Sequence, residues 1–118
     1  MELRKAFLRQ MLGQTVHIQV DRPVGYRHHG LVYPVNYGYI PGMMAGDGEE
    51  QDVYILGISR PLESFDGVII GGILRRDDCE DKLIAAPAGM AFTRRQMEEA
   101  VRFQEQFFDS SVEYALYE

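Results

Sequence analysis

Four carboxylates stand within six residues in Asp47-Gly48-Glu49-Glu50-Gln51-Asp52, at the mouth of the apolar run Val53-Tyr54-Ile55-Leu56. Packing does not call for so much negative charge beside a strand. Close carboxylates repel and raise one another's pKa unless a cation lies between them. A hard divalent ion held by oxygen ligands, Mg²⁺ above all with Mn²⁺ as a substitute, is the natural counter-charge. Asp47 and Asp52 flank a Gly turn and can converge on one ion. A second acidic stretch, Asp77-Asp78-Cys79-Glu80-Asp81, leads into Lys82-Leu83-Ile84-Ala85-Ala86. Asp81, at a neighbouring strand end, would complete a shared site. Metals bridged by carboxylates can clamp substrate oxygens and make hydroxide near neutral pH, and Glu49 could take a proton from bound water. The substrate such a site suits is a phosphoanhydride, whose transfer depends on positioning and charge neutralisation. The loop Arg22–His29 supplies the basic residues that could reach it, Arg22 and Arg27 first among them.

The chain of 118 residues carries a net charge of −6. Such acidity argues against nucleic acid, whose binding rests on many Lys/Arg–phosphate contacts. One domain over 1–118 is expected, with ordinary apolar content and no run long enough to span a bilayer. A lone cysteine, Cys79, cannot form an internal disulfide, and the first residues lack the pattern of a signal peptide, so the cytoplasm is the expected compartment.

The elements that must position these residues can be read from periodicity. Leu3, Phe7 and Met11 predict a short helix over 2–12, stopped at Gly13. Val16, Ile18 and Val20 alternate with Thr15, His17 and Gln19 in a half-buried strand over 14–20, ended by Asp21-Arg22-Pro23. Residues 22–30 read as loop, followed by extended pieces near 31–33 and 36–40. Further strands are predicted at 53–58, at 68–74 with a bulge or a barrel-corner bend at Gly71-Gly72, and at 82–86, stopped by Pro87. Thr93 and Gln96 form a capping box for a helix over 93–108, with Phe92 set to staple against Met97. Its stripe of Met97, Ala100, Val101 and Phe108, widened by Phe103 and Phe107, leaves room for a homo-oligomer contact. Short strands with bends and a late helix suggest a mainly β (α+β) chain, a small barrel with a helix packed on it, although periodicity alone does not separate a barrel from an open sheet.

Tyr33-Pro34-Val35-Asn36-Tyr37-Gly38-Tyr39-Ile40, followed by the acidic turn to Val53 and by the second acidic stretch before Lys82-Leu83, resembles the soluble family I inorganic pyrophosphatases over about residues 30–87. The resemblance implies an OB-like five-stranded barrel with flanking helices. It also implies Mg²⁺-dependent hydrolysis of pyrophosphate to two phosphates. Carried over position by position, it makes Asp47, Asp52, Asp81 and either Asp77 or Asp78 metal ligands. Glu49 stands where the family has the aspartate beside the nucleophilic water. Tyr37 would orient the site, with Tyr33 and Lys82 near the phosphates. The chain also departs from the family. Phe107-Phe108 replaces a phosphate-gripping Tyr-Lys pair, the N-terminal lysine and two glutamates have no clear match, and Arg22 or Arg27 must stand in for an arginine. Two alternatives follow from those losses: a pyrophosphatase-like binding module without turnover, and hydrolysis of another phosphoanhydride. By default His28, His29, Glu50 and Glu80 are solvated, and Arg75-Arg76 neutralises the acidic turn beside it.

Overall fold

Helix α1 spans Glu2–Met11. Leu8 and Met11 are its buried residues, and Gly13 follows with φ +84°, the left-handed geometry that glycine adopts without cost. Strand β1, Thr15–Arg22, buries Ile18 and Val20 as the alternation requires and runs two residues past the expected end, to the residue before Pro23. Residues 22–30, expected as loop, contain one arm of a small hairpin, β2 (Arg27–His28) paired with β3 (Leu31–Val32). Then come β4 (Asn36–Met44), β5 (Glu50–Ile55), β6 (Ser64–Arg75) and β7 (Lys82–Ala86). Helix α2, Arg94–Glu105, starts at the predicted capping box, with Thr93 and Gln96 exchanging hydrogen bonds. A last strand, β8 (Ser110–Ala115), has no counterpart in the sequence reading. These elements come from a computed structural model that describes residues 1–117.

The strands run β1-β4-β5-β7-β6, and β1 pairs again with β6, which closes a five-stranded barrel. The chain is thus mainly β with helices, as expected. Strand β6 makes closure possible by its length. Its first half pairs with β1 and its second half with β8. The register on β7 shifts between Ile69 and Gly71, next to the predicted glycine bulge.

Alternation along each strand sorts the apolar residues into two cores. Ile18, Val20, Ile40, Val53, Ile55, Ile69, Leu83 and Ala85 fill the barrel, and α1 plugs it with Leu8 and Met11. Tyr33, Tyr37, Tyr54, Leu56, Ile70, Ile73, Ile84 and Ala86 pack on the other side under Met97 and Val101 of α2. Successive residues of β5 and β7 therefore face α1 and α2 in turn.

Much of the tyrosine motif is architectural. Asn36 is fully buried and ties two loops together. It accepts from Val24 N and Leu62 N, and it donates to the carbonyls of Ile58 and Arg60. At Gly38, β4 crosses β1 so closely that a Cβ would lie 2.0 Å from the Gln19 carbonyl oxygen. Gly38→Ala must push the two strands apart. It should lower stability by about 1–3 kcal/mol or more, as overpacking against backbone does. A denaturant midpoint equal to that of the wild type would refute this.

Candidate functional site

Parallel pairing of β5 with β7 sets Val53 beside Leu83, and so Asp52 beside Lys82 one residue earlier. Both side chains point toward the α2 side. Lys82 Nζ donates to Asp52 Oδ2 at 2.6 Å. Lys82 is almost wholly buried, while the Asp52 side chain is 30% exposed, so the pair sits at the floor of an opening. Arg22, the last residue of β1, stands across from Tyr37 in the β1–β4 ladder. Its guanidinium carbon lies 5.6–5.9 Å from the rings of Tyr26, Tyr33 and Tyr37, within cation–π range, and Nη1 donates to the Tyr33 hydroxyl. Burial works against the Arg22 charge, but the Tyr33 hydroxyl and Asp21 hold its pKa above the ordinary guanidine value. Tyr37 is buried against Asp52. Burial first, and the Asp52 carboxylate second, push its phenol well above the usual value, so it remains a hydrogen-bond donor at any physiological pH.

Arg22, Tyr37, Asp52 and Lys82 line one cleft of 370 Å³, together with Asp21, Arg75, Glu80, Gln104, Phe107, Phe108 and residues of the β2–β3 hairpin. Behind it runs a buried polar chain. Tyr33 Oη donates to Gln104 Oε1, and Gln104 Nε2 donates to Tyr54 Oη at 2.7 Å. Tyr54 Oη then donates to Glu105 Oε2 at 2.6 Å. Arg75 closes the chain with two bonds to the Glu105 carboxylate, at 2.6 and 3.0 Å. Every donor meets an acceptor, so the chain is satisfied although Arg75 and Glu105 are both buried. Burial disfavours the Arg75 charge, but the Glu105 bonds and charge outweigh that and raise its pKa. Tyr54 is raised by burial and then by Glu105.

Only part of the predicted site meets in this cleft. Arg22, Tyr37, Asp52 and Lys82 line it, and Tyr33 supports Arg22 from behind. Asp81 lies on the opposite side of the β7 alternation, with Leu83. Its carboxylate takes two bonds from Arg4, at 2.6 and 2.7 Å, and one from Arg75 N at 2.9 Å. Asp47 turns onto its own loop and accepts from Glu49 N, while Glu49 is exposed at the tip. Asp77 accepts from Asp109 N, and Asp78 from Glu80 N. Arg27 is exposed on the hairpin and does not line the cleft. Arg75 does pair with the acidic turn beside it, with Nη1 3.5 Å from Asp78 Oδ2, but it is not a surface residue. It is buried under α2, with its guanidinium carbon 3.6 Å from the Phe108 ring centroid.

Tested as a metal centre, this arrangement does not fit. Among the described residues no three His, Cys, Asp or Glu groups are grouped to hold an ion. Asp52 and Asp81 already have cations beside them, Lys82 and Arg4.

Sequence reasoning gave no site role to Asp21, Gln104, Tyr54 and Glu105, and it read Glu80, which lines the cleft, as solvated. One signal was available. Met97, Val101 and Glu105 are spaced i, i+4, i+8, so Glu105 falls on the buried face of α2, where a carboxylate needs a partner. The aromatic helix face also has less left to offer a second subunit. Phe103 packs edge-on against Tyr33 and Tyr54, and Phe108 lies under Arg75.

A family model for inorganic pyrophosphatase matches residues 8–114. The inorganic pyrophosphatase of Caulobacter vibrioides is 30% identical over 88 residues, covering 64% of this chain and 48% of that protein. That of Saccharolobus solfataricus is 40% identical over 74 residues, covering 59% of this chain and 41% of that protein. Among solved structures, the inorganic pyrophosphatase of Ehrlichia chaffeensis superposes with a TM-score of 0.66 at 17% identity, over 87% of this chain and 85% of that one. The Neisseria gonorrhoeae enzyme gives 0.61 at 18% identity, over 88% and 84%. The fold is theirs. With nearly the whole barrel matched, the chain belongs to the inorganic pyrophosphatase family. It spans about half the length of the curated relatives it matches.

The geometry makes Asp81 a structural residue. Asp81→Asn leaves Arg4 and the Arg75 amide poorly paired and should cost about 1–3 kcal/mol of stability. Binding of a pyrophosphate analogue, measured by calorimetry, should stay within about twofold of wild type, because no Asp81 oxygen reaches the cleft. A folded variant that has lost analogue binding would overturn that placement.

Proposed function

We propose that this chain binds and hydrolyses inorganic pyrophosphate or a related phosphoanhydride in the cleft between β1, β5, β7 and α2. One observation carries the reading: Arg22 and Lys82, both cationic, converge with Asp52 in a single open cleft. Arg22 is held by the Tyr33 hydroxyl and flanked by aromatic rings, so it loses little freedom on gripping a phosphate. Lys82 is a point charge on a flexible stem. A phosphate oxygen that takes over its ammonium group would free the Asp52 carboxylate. With Tyr37 beside it, that carboxylate is then the group placed to accept a proton from attacking water. Asp52 thereby takes the role the sequence suggested for Glu49.

Mg²⁺ or Mn²⁺, with Asp47, Asp52, Asp81 and Asp77 as ligands, is the expectation family resemblance brings to this reaction. The carboxylates as arranged give no step that runs through the ion. A divalent cation at Asp52 must compete with Lys82. Millimolar Mg²⁺ should therefore raise the melting temperature of Lys82→Met by more than that of the wild type, since a ligand specific to the native state stabilises it. Equal shifts would count against Asp52 as a ligand.

A second reading is favoured by the internal neutralisation of Asp52 and Asp81, which suits a binding module without turnover. Phosphate release from pyrophosphate, with and without Mg²⁺, separates the two. Highly purified protein and an Asp52→Asn control guard against contaminating enzyme. Release that vanishes in Asp52→Asn supports hydrolysis, and release that persists refutes it. Arg22→Ala should raise KM or lower kcat by about tenfold or more, the usual loss for a charge-assisted contact. Binding of imidodiphosphate without any release would put the module reading first. The cytoplasm and a homo-oligomer complete the proposal. Among the described residues no helix is long and apolar enough to cross a membrane.

A further inference from the structure

Phe107 follows the end of α2 and lines the cleft, yet it is 64% exposed. Its neighbour Phe108 has an intramolecular role beneath Arg75. Among the described residues, no ring or cation is stacked on Phe107 in the same way. An aromatic ring left in water at the rim of a charged cleft gains nothing for the fold. It gains when a flat ligand covers it.

The rest of the cleft is also unlike a site for a small inorganic anion. Leu31 and His28 line it beside the cations, and Tyr26 stacks on His28 with ring centroids 6.2 Å apart. Desolvation, then the charges of Arg22 and His29, lower the His28 pKa, so near neutral pH its ring is an uncharged flat surface. The volume of 370 Å³ falls in the range of about 300–1,000 Å³ typical of sites for organic ligands. Pyrophosphate has no apolar part to place against Phe107 or Leu31.

We propose that the cleft prefers an organic phosphoanhydride carrying a planar aromatic group, a nucleoside di- or triphosphate. Its phosphates lie at Arg22 and Lys82, and its base stacks on Phe107. This rests on the phosphoanhydride reading of the cleft and names the substrate class within it.

Calorimetric titration with two non-hydrolysable probes tests the inference. Methylenediphosphonate carries the phosphate end alone, and adenosine 5′-(α,β-methylene)diphosphate adds the nucleoside. The nucleotide should bind about five- to a hundredfold more tightly, the range set by stacking one base on an aromatic side chain. Phe107→Ala should remove most of that advantage while leaving methylenediphosphonate affinity within about twofold, and Phe107→Trp should restore it. Being exposed, Phe107 can be replaced without unfolding the domain. If methylenediphosphonate binds but the nucleotide gains nothing, or if the gain survives Phe107→Ala, this inference falls and the pyrophosphate reading stands. If neither probe binds, both fall.

Discussion

The register of two parallel strands governs what this chain can do. Setting Val53 of β5 beside Leu83 of β7 fixes the direction of every neighbouring side chain. Asp52, Tyr54 and Leu56 then share a face with Lys82, Ile84 and Ala86. Gln51 and Asp81 share the other, where Gln51 Nε2 reaches the Asp81 carbonyl at 2.8 Å. One side of the barrel wall becomes a cleft under α2, and the other becomes a plugged end under α1. A slip of one residue would exchange a cation-lined cleft for a buried ion pair. Because both faces are packed against helices, no such slip is tolerated.

The cleft has its shape because a polar chain behind it is fully paired. Taking Arg75 and Glu105 out of water is expensive, and their attraction alone does not guarantee a gain. The bonds from Tyr54 and Gln104 complete the set and connect it to Tyr33 and Arg22. Arg22 therefore does not depend on its own flexible stem for position. It is braced through tyrosines to α2, a short helix kept in place by its capping box and by Met97 and Val101. A cation fixed in this way spends less entropy on an anion than a free surface arginine would.

Family membership and site composition pull in different directions here. The barrel follows the inorganic pyrophosphatases, and the tyrosine motif and acidic turn carry the sequence resemblance to them. Yet two of the expected metal carboxylates, Asp52 and Asp81, carry internal cations, and the two residues that follow the C-cap of α2 are phenylalanines, which cannot hydrogen-bond a phosphate. Arg4 explains half of this. It comes from a helix that plugs the barrel and draws Asp81 inward. Lys82 explains the other half by lying against Asp52. These two carboxylates are neutralised within the fold.

Local pattern was enough for much of the architecture. The capping box at Thr93 and Gln96, the alternation of β1, the stop at Pro87 and the bulge at Gly71-Gly72 each depend on contacts within a few residues, so they were legible in the sequence. The tyrosine motif and acidic turn likewise identified the family. The ends of long-range pairing were not legible. Strand β8 carries no strong alternation and exists because the far half of β6 needs a partner. The fate of each charge was decided only in three dimensions. Asp52 and Asp81 look equivalent as letters, but strand parity sends one into the cleft and the other into the barrel end. Arg75 looks like a surface residue until Glu105, distant in sequence, arrives beneath it. Residue type set what chemistry was available. Which side chains meet was set by register and helix docking, and neither is written in any short stretch of the chain.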